Sequence, residues 1–581
     1  MMQYKTKPSV TRIMNLLSPI IWLLYIELLN GWTLPKLFRY WFSGEADWFI
    51  LAFYVFGFLL LCGVFFVLRR LLGERIGNIA AATISAVFGI TNFCVLTITG
   101  QPFVFSDLKI AGTAFSVLSA QSLSKGGVLT LTCAVLFWLG YCIAVWLMTA
   151  KQVYEAKQYL LRLVPAILAA NLMYFGVLFS ADLADVVLLF DGHHKYGAIA
   201  HFVISGGVGL DFPEDVKDYL PQKDTDTVSG FKPNVIIIMN EAFLDLQQTF
   251  NLKCNKDAIP FFHQLCKKYP HGISYSSVRG NNTCSTEFEL LSGVSTALTA
   301  KGATIYESNA VPMQTLVSAM NARGYETVGI HPYYRTGYNR DAVYNALGFD
   351  KTYFMDDFED AEYIHGFISD RSNYETLIEC YESSSAPFFC FNVTMQNHAG
   401  YDNDGGLADK VTADVHGEVK APLDNYLTLL HESDKALESL ISYFETEKAP
   451  TVILFVGDHQ PMLGKSFYEE QIGKLLDEFS VEDVSRMYEV SFLIWANFPL
   501  ISECVPAETS MNYLQDILFE TAGIAKTPWM EQIADYRKAY PVVTVNFMRE
   551  DGGGFVPLTV QGKLELYQKY CYGILWGGGR T

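Results

Sequence analysis

Close-set cysteines are missing from this chain. Its 11 cysteines include no Cys-x-x-Cys pair and no Cys/His spacing of the zinc-site kind. Four lie in apolar runs (Cys62, Cys94, Cys133, Cys142), and the odd seven elsewhere do not make a disulfide framework. Internal repeats and low-complexity tracts are also lacking, which excludes solenoids and long disordered arms. A net charge of −19 offers nothing to a nucleic-acid backbone. Charge itself is scarce in the first third, and that scarcity defines the first domain.

Residues 1–180 hold 13 Lys/Arg against six Asp/Glu, a net +7, while the remainder holds 29 against 55, a net −26. Long apolar runs cover 14–33, 48–68, 77–98, 127–149 and 160–180. Each approaches the ~20 residues that cross a ~30 Å hydrocarbon core. Five such runs in series predict a five-helix transmembrane domain over 1–180. No small-residue cleavage site follows the first run, as a signal peptide would require. The clusters Lys5/Lys7/Arg12, Arg69/Arg70/Arg75 and Lys151/Lys157/Arg162 fall on one side when five helices alternate. The positive-inside rule makes that side cytoplasmic. Everything after residue 180 is then expected outside, and the middles of the spans lack the ionisable residues a transporter would need.

Residues 181–230 read as a connector ending in PQKDTDTVSGFKP, a stretch rich in turn residues. From 231 to 581, apolar runs alternate with helical patterns. The runs are NVIIIM (234–239), ETVGI (326–330), FFCFNV (388–393), TVILFV (451–456) and SFLIWA (491–496); the helical patterns are 312–324 and 423–444. Nearly continuous apolar strands between helices predict an α/β domain with a mostly parallel central sheet.

In such sheets the ligand site lies beyond the carboxyl ends of the strands. The residues just past four of the five runs are Glu241, His331 (with Arg335 and Arg340 following), His398 and Asp458-His459. Glu241, Asp458 and His459 offer two carboxylates and one imidazole, a mixture suited to Mn²⁺ or Zn²⁺ more than Mg²⁺. A hydroxyl from RGNNTCSTEF (279–288) is a further oxygen ligand, and Thr283, Cys284, Ser285 and Thr286 are all candidate nucleophiles. A metal-bound hydroxyl at a helix start suits phosphoryl transfer.

As a set, the motifs NVIIIMNEAF (234–243), RGNNTCSTEFELLSG (279–293), HPYYRTGYNRD (331–341), NVTMQNHAGY (392–401) and FVGDHQPML (455–463) resemble the lipoteichoic acid synthases and related membrane phosphoglycerol transferases. These belong to the sulfatase/alkaline phosphatase superfamily. The resemblance implies one divalent metal held by Glu241, Thr283, Asp458 and His459, with Thr283 the nucleophile. It implies substrate contacts from His331, Arg335, Tyr338, Arg340 and His398, the last near the leaving group. Tyr338 stands where the synthases commonly have tryptophan, and Asn282 where they often have lysine, which bears on head-group preference. The expected donor is phosphatidylglycerol, and the expected acceptor a glycerol-phosphate polymer or a glycan. Rival readings are a phosphoethanolamine transferase, a phosphodiesterase or sulfatase-type hydrolase, and a non-enzymatic membrane sensor. Cys284 is followed by Ser-Thr-Glu, not the C-x-P-S-R context of a sulfatase's modified cysteine.

Overall fold

The structure, a computed structural model, describes residues 8–32, 48–99, 103–105, 125–149, 165, 196–207, 230–299, 306, 315–401, 403–502 and 505–576. The chain forms two compact units, 1–211 and 212–581.

The first unit contains helices α1 (Pro8–Leu29), α2 (Trp48–Leu72), α3 (Glu74–Thr99), α4 (Lys125–Met148) and α5 (Ala198–Gly207). The first four are long and apolar enough to cross a membrane. The fifth expected span, 160–180, lies outside the described residues. The bundle is apolar on its outside as well as within. Leu16, Leu59, Leu129, Ile143 and Leu147 are exposed, while Trp22 packs edge-on against Tyr25, Phe137 and Tyr141. An outward apolar face of this kind suits a lipid surrounding.

Polar side chains collect at the two ends of the bundle. At one end Asn15 Nδ2 donates to Glu74 (2.6 Å), Asn78 Nδ2 to Asn15 (2.8 Å) and Arg69 to the Asn15 carbonyl (2.8 Å). At the other, Asn92 Nδ2 donates to Asn30 (3.2 Å), whose own amide donates to Glu27 (3.2 Å). Glu27 also accepts from the backbone N–H of Ala198 (3.0 Å), fastening the first turn of α5 to the end of α1. The turn between α2 and α3 is tight: a side chain at Gly77 would meet the Arg69 backbone at 2.5 Å.

The second unit is built on an eight-stranded sheet. Its strands are β1 (Asn234–Asn240), β2 (His271–Tyr275), β3 (Glu326–His331), β4 (Lys351–Phe354), β7 (Phe388–Val393), β8 (Thr451–Gly457), β9 (Glu489–Ala496) and β10 (Glu508–Ser510), and β5 (Tyr363–Ile364) with β6 (Phe367–Ile368) forms a separate hairpin. The order is β10-β2-β9-β8-β1-β7-β3-β4. All five apolar runs are strands of this sheet, and β1, β7, β8 and β9 are buried at every position. Three further strands, β2, β4 and β10, are short and carry no strong apolar run. β9 runs antiparallel to both β8 and β2. Its carboxyl end therefore lies at the opposite edge from the others, which is why SFLIWA leads into no chemistry-bearing residue. An open cavity of about 400 Å³ lined by Tyr269, Trp495 and Phe498 occupies that far end.

The register places the site. Met239 pairs with Val393, Asn240 with Gly457 and Ile330 with Asn392, so β1, β3, β7 and β8 end level. Helix α6 (Thr283–Ser292) is buried along its whole length. The remaining helices that bear on the site are α7 (Asp370–Ser383) and α8 (Lys420–Thr446).

Away from the site, the His263 ring lies between Asp245 (Nε2–Oδ2 2.8 Å) and Asp257 (Nδ1–Oδ2 2.7 Å). The hydrogen bond to Asp245 outweighs desolvation and, with that to Asp257, raises the His263 pKa from 6.5 to about 9. A raised folded-state pKa stabilises the fold fully below 6.5, and the effect is lost as pH rises through about 9. His263→Gln is expected to lower the thermal midpoint at pH 6, with the gap from wild type closing as pH passes 9. A gap independent of pH in differential scanning calorimetry would refute the ion triad.

Candidate active site

Glu241 follows β1 and Asp458 and His459 follow β8, so the level register delivers all three to one point. Their ligand atoms lie within 4.8 Å of one another, and all three residues are buried. His459 Nε2 is 3.2 Å from Asp458 Oδ2 and 3.7 Å from Glu241 Oε1. The other ring nitrogen, Nδ1, lies 3.0 Å from the Gln460 carbonyl. Donation there leaves the Nε2 lone pair facing the carboxylates, the tautomer a metal ligand needs.

Asp458 Oδ1 accepts from the backbone N–H groups of Ala242 and His459, each at 2.8 Å. Ala242 reaches this position with φ 52, in the left-handed region. Asp458 Oδ2 and Glu241 Oε2 are buried with no hydrogen-bond partner. Burial first, and the adjacent Asp458 carboxylate second, hold the Glu241 carboxyl well above its usual range. A divalent cation would satisfy both orphan oxygens and relieve this repulsion. The donor set fits one.

The hydroxyl comes from α6. Asn282 precedes the helix with φ 64 and turns the chain so that Thr283 opens it. Thr283 Oγ1 stands 3.5 Å from His459 Nε2. Of its neighbours, Cys284 is fully buried with Sγ donating to Asn282 Oδ1 (3.0 Å), and Thr286 Oγ1 donates to the Asp458 carbonyl (3.0 Å). These contacts turn Cys284 and Thr286 toward packing and leave Thr283 at the cluster.

The substrate-side candidates divide. His331 ends β3 and is buried, with no well-formed hydrogen bond to either ring nitrogen. Burial, then the positive charge of Arg340, keeps its pKa well below the usual histidine value. His398 is half-buried with an unpartnered Nδ1, and burial followed by the His459 ring pushes its pKa down to about 4. Tyr338, at φ 51, lies beneath the Arg340 guanidinium, 5.2 Å away. The two arginines are already engaged. Arg340 is 2% exposed, and its Nε donates to Glu287 Oε1 at 2.9 Å. Arg335 is half exposed, pairing with Asp357 (3.4 Å) and Asp341 (3.8 Å).

Glu287 escaped the sequence reading. It is fully buried on α6, and Tyr344 Oη (2.8 Å) and Tyr306 Oη (3.3 Å) donate to its second oxygen. The signal was available: Glu287 follows Thr283 by four residues, on the same helical face. A second unread network lies behind β1 and β7. Asn240 Nδ2 donates to Asp370 (2.7 Å), Ser433 Oγ to the same carboxylate (2.6 Å), and Asn397 Nδ2 to Ser433 (2.9 Å) and the Glu241 carbonyl (3.2 Å). It ties α7 and α8 to the segment bearing Glu241.

An α/β sheet with a buried carboxylate–imidazole cluster and a hydroxyl at a helix start defines a metal-binding site of the phosphatase and sulfatase kind. The match to known proteins agrees: residues 233–521 match the Sulfatase family. Over those residues the chain carries a sulfatase-family domain, and it is similar in sequence to lipoteichoic acid synthases. It is 28% identical over 291 residues to a putative cyclic beta-1,2-glucan modification protein of Rhizobium meliloti, covering 49% of this chain and 45% of that one. It is 26% identical over 349 residues to a lipoteichoic acid synthase of Staphylococcus aureus, covering 52% and 51%. The chain thus spans about half the length of these curated relatives. The solved Streptococcus pyogenes phosphoglycerol transferase GacH, in complex with sn-glycerol-1-phosphate, shares the fold with TM-score 0.51 and 19% identity, covering 62% of this chain and 88% of that one.

Asp458→Ala is expected to abolish stoichiometric metal in the purified protein. Gly457→Ala should do so too, because a Cβ there would lie 2.0 Å from the Phe243 carbonyl oxygen and force β8 off its register. Elemental analysis checks both, and full metal retention by Asp458→Ala would remove it from the ligand set.

Proposed function

We propose that this chain is a membrane phosphoglycerol transferase that moves the head group of phosphatidylglycerol to an acceptor hydroxyl through a phosphothreonine at Thr283. The observation that carries this reading is the Thr283 hydroxyl, 3.5 Å from His459 Nε2, at the start of a buried helix beside two orphan carboxylate oxygens. A site that only held a structural metal would have no use for that hydroxyl. Glu241, Thr283, Asp458 and His459 would hold one divalent metal, Mn²⁺ or Zn²⁺ ahead of Mg²⁺ because one donor is an imidazole nitrogen. Such an ion lowers the hydroxyl pKa and offsets the phosphate charge.

Thr283 Oγ1 attacks the phosphorus; the Oγ–P bond forms as the bond to the diacylglycerol oxygen breaks, and the proton lost by the threonine hydroxyl ends on that oxygen, which leaves as the alcohol. The start of α6 carries the positive end of the helix dipole, which would favour the phosphoryl oxygens. His398 is neutral at pH 7, given its pKa of about 4, and serves the departing oxygen as a neutral hydrogen-bond donor. Arg340 acts from behind Tyr338, its orientation set by Glu287. The acceptor hydroxyl then attacks the same phosphorus and restores the threonine.

The five-span arrangement, with a catalytic domain over 231–581 outside the cell and a connector over 181–230, belongs to this reading. The alternation of polar ends in the four described spans supports it, as does the grouping of Arg69 and Arg75 at one end. Protease added to intact spheroplasts should degrade the outer domain and spare the bundle; a protected outer domain would reject this topology.

With phosphatidylglycerol labelled in its head-group glycerol, the peptide containing Thr283 should carry a phosphoglycerol adduct. Thr283→Ala should lose about three or more orders of magnitude in diacylglycerol release, each ~1.4 kcal/mol of barrier being tenfold in rate. Thr283→Ser should keep part of the activity, and Cys284→Ala nearly all of it. Label on Cys284, or a normal rate in Thr283→Ala, would refute the mechanism. Label transferred from phosphatidylethanolamine in place of phosphatidylglycerol would instead establish the rival head group.

A further inference from the structure

Beside the candidate metal centre stands a wall of aromatic rings that the transfer chemistry does not use. Tyr333 packs on Tyr334 (4.8 Å between ring centres) and on Phe367 (6.0 Å), and Phe367 lies 5.1 Å from the His398 ring. His365 continues the row, 6.0 Å from Phe367 and stacked on Tyr401 at 6.3 Å. Tyr334 is 37% exposed, and Tyr333, Phe367 and His365 are all partly open to solvent. The hairpin that presents Phe367 turns through His365 and Gly366, both at positive φ (56 and 88). Histidine is one of the few non-glycine residues enriched at positive φ, so it can hold the first position of this turn. The wall runs into the reaction centre through His398.

The surroundings of the wall are anionic. Asp356, Asp357, Glu359, Asp360 and Glu362 are all exposed on the segment that leads into the hairpin. The Met355 N–H donates to the Tyr333 carbonyl (3.0 Å), and the Glu362 carbonyl accepts from Ser369 (2.8 Å), so the segment borders the wall at both ends. The nearby cations are spoken for: Arg335 pairs with Asp357 and Asp341, and Arg340 with Glu287. A chain with one negative charge per unit would be repelled along this approach. An uncharged pyranose chain would not, and the C–H faces of its rings match open aromatic faces.

We infer that the aromatic wall of Tyr333, Tyr334 and Phe367 is an acceptor subsite for an uncharged glycan, whose sugar hydroxyl takes the phosphoglycerol group from Thr283. This rests on the transferase reading. In the second step a sugar oxygen forms a bond to phosphorus, the Thr283 Oγ–P bond breaks, and the hydroxyl proton passes to the released threonine oxygen. The wall belongs to the acceptor and has no part in cleaving the lipid.

The test uses the full chain in phospholipid vesicles containing head-group-labelled phosphatidylglycerol. Bacterial envelope polysaccharide, separated by anion exchange into neutral and phosphate-bearing fractions, supplies the acceptors. Label should enter the neutral fraction, with a rate insensitive to added salt. Tyr334→Ala and Phe367→Ala should each lower that transfer by about tenfold, the loss expected for an aromatic contact. Diacylglycerol release without acceptor should stay at the wild-type rate in both variants. Label confined to the phosphate-bearing fraction would overturn the proposal. So would an equal slowing of diacylglycerol release, which would make the wall a lipid site. Absence of all diacylglycerol release would count against the transferase reading alone; affinity electrophoresis through gels containing the neutral fraction then decides the wall, and unretarded migration overturns it.

Discussion

Two carboxylates, Glu241 and Asp458, are buried against each other at the edge of a parallel sheet, and much of the outer domain is arranged around making that tolerable. Desolvation and like-charge repulsion both oppose it. The protein meets part of the cost itself. Two backbone N–H groups bind one oxygen of Asp458, one of them through a strained backbone at Ala242. Arg340, although bonded to Glu287, still lends its positive charge to Glu241. The remaining imbalance, two orphan oxygens and an imidazole lone pair, would be relieved by a divalent cation, and Thr283 Oγ1 stands 3.5 Å from that imidazole.

The supports of this cluster come from distant parts of the chain. Glu287 on α6, with Tyr306 and Tyr344, clamps Arg340 and so couples the nucleophile's helix to the loop after β3. The Asn240, Asp370, Ser433 and Asn397 network holds α7 and α8 to the segment bearing Glu241. Both are buried and polar, so a break in either leaves desolvated groups without partners. The first network fixes α6, which bears Thr283, and the second fixes the segment that bears Glu241.

Charge divides the protein's two environments. The net +7 of residues 1–180 suits a bundle anchored by basic ends, while residues 181–581 carry a net −26. In the proposed transfer, attraction for the anionic donor is local, at the Glu241, Asp458 and His459 cluster and the start of α6, because Arg340 is already paired with Glu287. Repulsion elsewhere then works as selection among acceptors.

Periodicity and composition alone made four of the five expected apolar helices, the five long strands and the mostly parallel sheet legible, because apolar runs of ~20 and of five or six residues have few other ways to be buried. The rule that ligands sit past strand ends made Glu241, His331, His398, Asp458 and His459 legible as candidates. The antiparallel direction of β9 was not legible, since a fully buried strand reads the same both ways. The resemblance pointed to Thr283, and the structure puts its hydroxyl 3.5 Å from His459 Nε2, at the start of a helix that follows the left-handed turn at Asn282. Only the tertiary structure paired Arg340 with Glu287, 53 residues apart, and Arg335 with Asp357. Such pairings depend on which loops the sheet order brings together, and local sequence carries no record of that order.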